Sequence, residues 1–206
     1  MNLGYVISTI IASLVLLSLV ALNSRIIRGS GEQTLYTMAK IESDMIMDYV
    51  KDDMRSMGYG IATTAITIAD PNRIQFLVHF EGQPDQRVID WFFDDTGPSA
   101  DRNTNTRPLY RRAVSSVADP GFDPTEVTVE TIGSGVVSFE LTYLNSRREV
   151  IGTPGVPLSS GELEFICQIQ MEMIVESLDS YDPNRFERST WSGEVTPFNL
   201  NCSAAP

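Results

Sequence analysis

The sequence predicts an α+β protein in which a long N-terminal α-helix packs on an antiparallel β-sheet head. Three observations carry that expectation. Residues 3–22 hold no charged side chain, and apolar positions then recur at helical spacing as far as Met57. From Ile61 onward, runs rich in β-branched and aromatic residues are separated by turn-forming stretches. The 206-residue chain thus divides into an apolar helix over residues 1–28, its amphipathic continuation over 29–60 and a β-rich head over 61–206.

The first element, "MNLGYVISTIIASLVLLSLVALNSRIIRG", is long enough to cross a membrane, since about 20 apolar residues span a hydrocarbon core of roughly 30 Å at 1.5 Å per residue. A secretory signal has a basic start and a short apolar core; this stretch has no Lys or Arg before Leu3 and runs longer. Leu3, Tyr5, Ile7, Ile10, Leu14, Leu17, Val20 and Leu22 supply apolar surface, and Ser8, Thr9, Ala12, Ser13, Ser18 and Ala21 let another helix approach closely. A filament core and a single-pass anchor both fit this pattern. Arg25 and Arg28 follow the apolar run, which favours a cytoplasmic C-terminal part. Cys167 and Cys202, the two cysteines, suit one disulfide in an oxidising compartment and equally two buried thiols.

Gly29 and Gly31 are each about 1 kcal/mol worse than Ala in a helix, so a kink or a locally melted stretch is expected there. Beyond them, Leu35, Met38, Ile41, Met45 and Tyr49 recur at steps of three and four, an amphipathic helix pattern that predicts an apolar stripe, with Gln33, Lys40, Ser43, Asp44 and Lys51 on the opposite face. Glu42 and Asp52 fall near that stripe and require partners or an edge position. "MGYG" supplies the stop, with Gly58 and Gly60 suited to a left-handed cap. One rod from Leu3 to Met57 would be roughly 80 Å long.

In the head, "NRIQFLVHF" and "RVIDWFFDD" read as a hairpin about "EGQPDQ". "EVTVETIGSGVVSFELTYL" reads as two runs about a turn at Gly133–Gly135, and Leu163, Phe165, Cys167, Ile169, Met171, Met173 and Val175 alternate as one face of a long strand. "TGPSADRNTNTRPL" and "GTPGVPLSSG" read as exposed loops.

A net charge of -12 argues against nucleic acid or an anionic membrane surface as partner. His79, the one histidine, lies among strand residues without a second ligand or a nucleophile at motif spacing, and is expected to be structural. Asp94, Asp95 and Asp101 lack the spacing and glycine of a calcium loop, and Ser192 lacks the flanking glycines of a nucleophile elbow. No phosphate loop or metal-spaced Cys/His set is present, so no catalytic, cofactor or metal site is expected, and the protein reads as a non-enzyme. "NCS" at residues 201–203 matches the N-glycosylation triplet, and Trp91 and Trp191 read as packing residues.

The order of apolar helix, amphipathic helix, strands and late cysteine pair resembles a type IV pilin or a related pseudopilin of a secretion system. "IMDYVKDDMRSMGYG" is similar to the "DLRxAGYG" phrase that follows the helix in minor pilins and some pseudopilins. The resemblance implies a subunit anchored in the membrane by residues 1–28, which then packs with its own copies into a filament core, aided by assembly machinery. It also implies a disulfide between Cys167 and Cys202 closing the last loop, an extracellular destination, and roles in adhesion or motility; a low-copy minor subunit and a single-pass membrane protein with an extracytoplasmic binding domain are the alternatives. Tyr5 stands where the family usually has a glutamate that neutralises a neighbour's terminal amine; archaeal relatives build filaments without that glutamate. The family's leader, a basic stretch and a glycine, does not precede the apolar run, which implies either that residue 1 is the mature end or that the chain has no such leader.

Overall fold

A computed structural model describes residues 3–62, 64–82, 85–100, 102–115, 129–181 and 185–200. Helix α1 (Leu3–Ser56) runs unbroken for 54 residues, as a segment without proline allows. The expected melted stretch at Gly29 and Gly31 is absent, because helical hydrogen bonding continues through both. Gly31 has a different use: a Cβ there would lie 2.5 Å from the Tyr181 ring, which rests against the helix where the head first meets it. Nothing approaches Gly29. The helix ends as the sequence predicts, with Gly58 at φ +76° and Gly60 at φ +67°. Gly58 N–H then donates to the Leu77 carbonyl and tethers the turn to the sheet.

Among the described residues, seven strands follow in a single antiparallel meander: β1 (Ile66–Asp70), β2 (Arg73–Val78), β3 (Arg87–Phe93), β4 (Arg107–Ser115), β5 (Val129–Leu144), β6 (Gln168–Glu176) and β7 (Arg188–Val195). This is the α+β architecture expected, with one long helix on one antiparallel sheet. The hairpin joining β2 and β3 has the predicted strands. The predicted turn at Gly133–Gly135 is instead the interior of β5, a continuous 16-residue strand. Its first half pairs with β4, from Arg112 opposite Val129 to Arg107 opposite Val136, and its second half pairs with β6, from Val136 opposite Val175 to Leu144 opposite Gln168. Register shifts fall at the handover, and the sheet curls there. The glycines serve close approach rather than reversal: a Cβ at Gly133 would lie 2.3 Å from Ile46 Cδ1, and one at Gly135 2.7 Å from the Glu176 carbonyl oxygen.

Ile169, Met171, Met173 and Val175 are buried as the alternation requires, whereas Leu163–Phe165 form a 3₁₀ turn ahead of the strand. The helical residues that meet this surface are Ala39, Ser43, Ile46, Met47, Val50 and Met54. They are not the predicted stripe. Met38, Ile41 and Met45 point outward at 61%, 55% and 69% exposure. Ile46 and Glu42 of the helix lie against the glycines of β5, and Ala39 and Ser43 are buried on the same side of the helix, so fit to the sheet, not bulk hydrophobicity alone, marks the buried face. Glu42 finds the partner it needs in the Gly135 N–H (3.2 Å), and Asp52 pairs with Arg55 at the surface.

Two polar clusters hold the curled sheet. Asp90, fully buried, accepts two hydrogen bonds from Arg73 (3.0 and 2.7 Å), one from Arg112 (3.3 Å) and one from Gln75 (3.2 Å). The second cluster corrects the reading of "TGPSADRNTNTRPL" as an exposed loop in part: Arg102, Thr104 and Asn105 are exposed, but the stretch also carries buried anchors. Asn103 and Thr106 are fully buried, and Arg107 already belongs to β4. Asn103 donates to the Glu176 carboxylate (2.9 Å) and the Ser177 carbonyl (3.0 Å), Asn105 adds a bond to Glu176 (3.2 Å), and Arg188 pairs with the same carboxylate. Satisfied hydrogen bonds are what allow these two polar side chains to be buried.

Candidate assembly surface

The upper half of α1 stands clear of the head. Leu3, Tyr5, Ile7, Ile10, Leu14, Leu17, Val20 and Leu22 are all exposed, from 49% at Ile7 to 76% at Leu3 and Tyr5, and none of the most apolar stretch is buried within the chain. By length and composition this segment suffices to cross a membrane. Three of its hydroxyls are satisfied within the helix. Thr9 donates to the Tyr5 carbonyl (2.8 Å), Ser13 to Thr9 (2.8 Å) and Ser18 to Leu14 (2.9 Å), so they add little cost to apolar surroundings. The first carboxylate of the chain is Glu32.

The lower half continues that apolar surface. Met38, Ile41 and Met45 of α1, with Ile132 of β5, line an open groove of about 580 Å³ bordered by Glu42, Asp48 and Tyr49. The groove is the outward face of the same helix whose other side is core.

Such a surface bears load only if the helix is fixed to the head, and several side chains fix it. Asp53 accepts hydrogen bonds from Arg111 Nε (2.6 Å), Arg111 Nη2 (3.1 Å) and Trp91 Nε1 (2.9 Å). Tyr49 meets Trp91 edge-on, with ring centroids 5.7 Å apart, and the Arg111 guanidinium lies 4.9 Å from the Tyr49 ring centroid. Lys51 Nζ sits 4.3 Å from the Trp191 ring centroid. At the top, Arg185 reaches Glu32 (3.4 Å) beside the Tyr181 contact with Gly31.

The remaining sequence candidates do not converge on a site. The backbone of His79 donates to the Tyr59 carbonyl (2.8 Å), and its ring lies against Gly60. Asp94 is taken up in a local turn, accepting from Thr96 N–H (3.0 Å) and Oγ1 (2.7 Å); Asp101 lies outside the described residues. Among the described residues no three acidic, His or Cys side chains gather as a metal would require. Ser192 lies on β7 opposite Glu172. Cys167 is buried, and both Cys202 and the glycosylation triplet at 201–203 lie outside the described residues. Sequence reasoning missed the Asp53–Arg111–Trp91 clamp, whose members are far apart in the chain, and the Glu176 cluster, which was hidden in a segment of loop-like composition.

No protein-family model and no curated protein matches this chain. Among solved structures, it is similar to a type IV-like pilin from Thermus thermophilus, with a TM-score of 0.53 over 78% of this chain and 96% of that one, at 11% sequence identity. The chain therefore has a pilin-like fold: a long apolar N-terminal helix whose second half packs on an antiparallel sheet.

Proposed function

We propose that the protein is a structural, non-enzymatic subunit of an extracellular type IV pilus-like filament, held in the membrane by residues 1–28 before assembly and packed with its own copies afterwards. The observation that carries this reading is the upper half of α1, uncharged to Leu22 and standing clear of the head, continuous with a lower half that the head clamps. Left in water, that surface costs about 25 cal/mol per Å², so it must reside in lipid or against other helices. Moving from one to the other changes its surroundings little, so the exchange is inexpensive. A Cys167–Cys202 disulfide and a role in adhesion or motility belong to the same proposal. The "DMRSMGYG" phrase favours a second reading, a low-copy minor subunit of a pilus or secretion machine.

Shearing surface appendages from cells, imaging the pellet by electron microscopy and identifying its main chain by non-reducing mass spectrometry tests the proposal. Filaments made mainly of this chain support it; filaments in which it is a trace component favour the minor-subunit reading. Retention in the membrane with no filaments overturns both. Leu14→Asp places a carboxylate in the apolar contact and is expected to abolish filaments while leaving the head folded, as read by protease resistance.

A further inference from the structure

The two edges of the sheet are not alike. β1, at one side, is five residues long, carries a register shift at Thr67 and has its Ala69 carbonyl taken by the Leu158 N–H (3.0 Å). Shortness, irregularity and cover are the devices that close an edge to further pairing. β7, at the other side, lacks them. It runs eight residues in unbroken register with β6 and contains neither proline nor lysine.

One bond fixes the direction of its main chain. Ser177 N–H donates to the Glu187 carbonyl (2.9 Å), so Glu187 and every second residue as far as Val195 turn their main-chain groups toward β6. Arg188, Thr190, Ser192 and Glu194 therefore turn theirs outward. All four are exposed, and among the described residues no hydrogen bond reaches their main chain. The edge is thus a row of donors and acceptors at the spacing of a strand, open to water.

We propose that β7 receives an extended segment of a partner protein as a further strand, antiparallel to β7 and held by main-chain hydrogen bonds. Recognition of this kind draws affinity from the main chain and selectivity from alternate side chains. On one face, Arg188 stands at one end of the row and Glu194 at the other, with the hydroxyls of Thr190 and Ser192 between them. The matching segment carries a cation opposite Glu194, an anion opposite Arg188 and hydroxyl or β-branched residues between. On the other face Trp191, half-buried beside Lys51, gives the intervening side chains an apolar surface. A second copy of β7 fits less well. Lys51 places α1 on that face, and pairing two β7 edges about a twofold axis would bring both helices to the same side of the joined sheet, against each other. The contact belongs to the head alone and does not rest on the assembly reading.

The full chain in detergent and the capped peptide Lys-Val-Thr-Val-Thr-Val-Glu test it; because main-chain bonds carry the contact, a peptide of this pattern suffices. Fluorescence anisotropy of the labelled peptide reads the binding. Methylating the amide nitrogen of its Lys, either Thr or the Glu removes a donor aimed at β7 and is expected to weaken binding about tenfold, whereas methylating a Val amide, which faces away, leaves it unchanged. Hydrogen exchange at the Thr190, Ser192 and Glu194 amides is expected to slow about tenfold or more with peptide bound, and at Trp191 and Gly193, already paired to β6, to change less. Ser192→Pro removes an outward donor but no bond of the fold, since an edge strand tolerates proline; it is expected to weaken binding about tenfold and to leave the thermal melt in place. Glu194→Lys sets like charges opposite each other and is expected to weaken binding about threefold. No binding at about 1 mM peptide, binding without the two-residue alternation, or full affinity in Ser192→Pro would each overturn the proposal. A chain that dimerises through β7 and excludes the peptide, while Ser192→Pro is monomeric, overturns it in favour of a second copy.

Discussion

At the scale of single residues, Glu176 shows how a buried carboxylate is made tolerable and what that implies for acid stability. It is 2% exposed at the end of β6. Burial opposes its ionisation, yet hydrogen bonds from Asn103, Arg188 and Asn105 together hold its carboxyl below the usual glutamate range. A carboxyl with a depressed folded pKa contributes stability that is complete above its unfolded value, about 4.3, and disappears as pH falls through the lower folded value. Glu176→Gln is therefore expected to lose about 1 to 3 kcal/mol near neutrality, the cost of leaving buried donors badly matched. The variant should also lose less of its stability on acidification than the wild type does. Urea titrations of the full chain in detergent, at neutral pH and at about pH 3, read both effects; an unchanged acid limb would place the pH dependence in other carboxylates.

At the scale of elements, the glycines of β5 give room to its neighbours, Ile46 of the helix at Gly133 and the backbone of β6 at Gly135. Gly135 faces backbone, the Glu176 carbonyl oxygen, with no flexible side chain able to yield at that contact. Gly135→Ala is expected to destabilise by about 1 to 3 kcal/mol, whereas Gly161→Ala, in open space, changes stability by less than about 0.5 kcal/mol; thermal melts of the two variants measure the difference. This fit also explains which elements were legible in the sequence. The helix was, because apolar spacing and the absence of proline are local properties. Its buried face was not: Met38, Ile41 and Met45 form an apolar stripe that stays exposed, while the packed face includes Ala39 and Ser43, and the glycines that receive Ile46 and Glu42 lie on a strand some 90 residues later. "GSG" looked like a turn because glycine in isolation signals backbone freedom, and its role as space for a neighbour depends on tertiary contact. β1 and β4 escaped notice for related reasons, one being five residues long and the other beginning inside a polar run.

At the scale of the whole molecule, the candidate surface was legible in part: its upper half as a run without charge, but its lower groove only once the exposed stripe was known. The combined surface sets two forces against each other when copies assemble. Each chain carries -12, so the heads repel, while the helices present apolar faces that water disfavours. The magnitudes decide between them. Burying on the order of 400 Å² of apolar surface per contact is worth about 10 kcal/mol before the costs of association, whereas an exposed ion pair contributes roughly 0 to 1 kcal/mol. At about 1 M salt the Debye length shrinks to about 3 Å, which screens the repulsion between heads as well as any ion pair between subunits, and leaves the apolar contribution in place. Filaments are therefore expected to remain in the pellet on centrifugation at about 1 M salt and to fall apart in a detergent that covers residues 3–28. Release by salt alone would mean that charge holds the subunits together and that the apolar helix remains in lipid, since a released subunit in detergent-free brine would otherwise have to hydrate some 20 apolar residues.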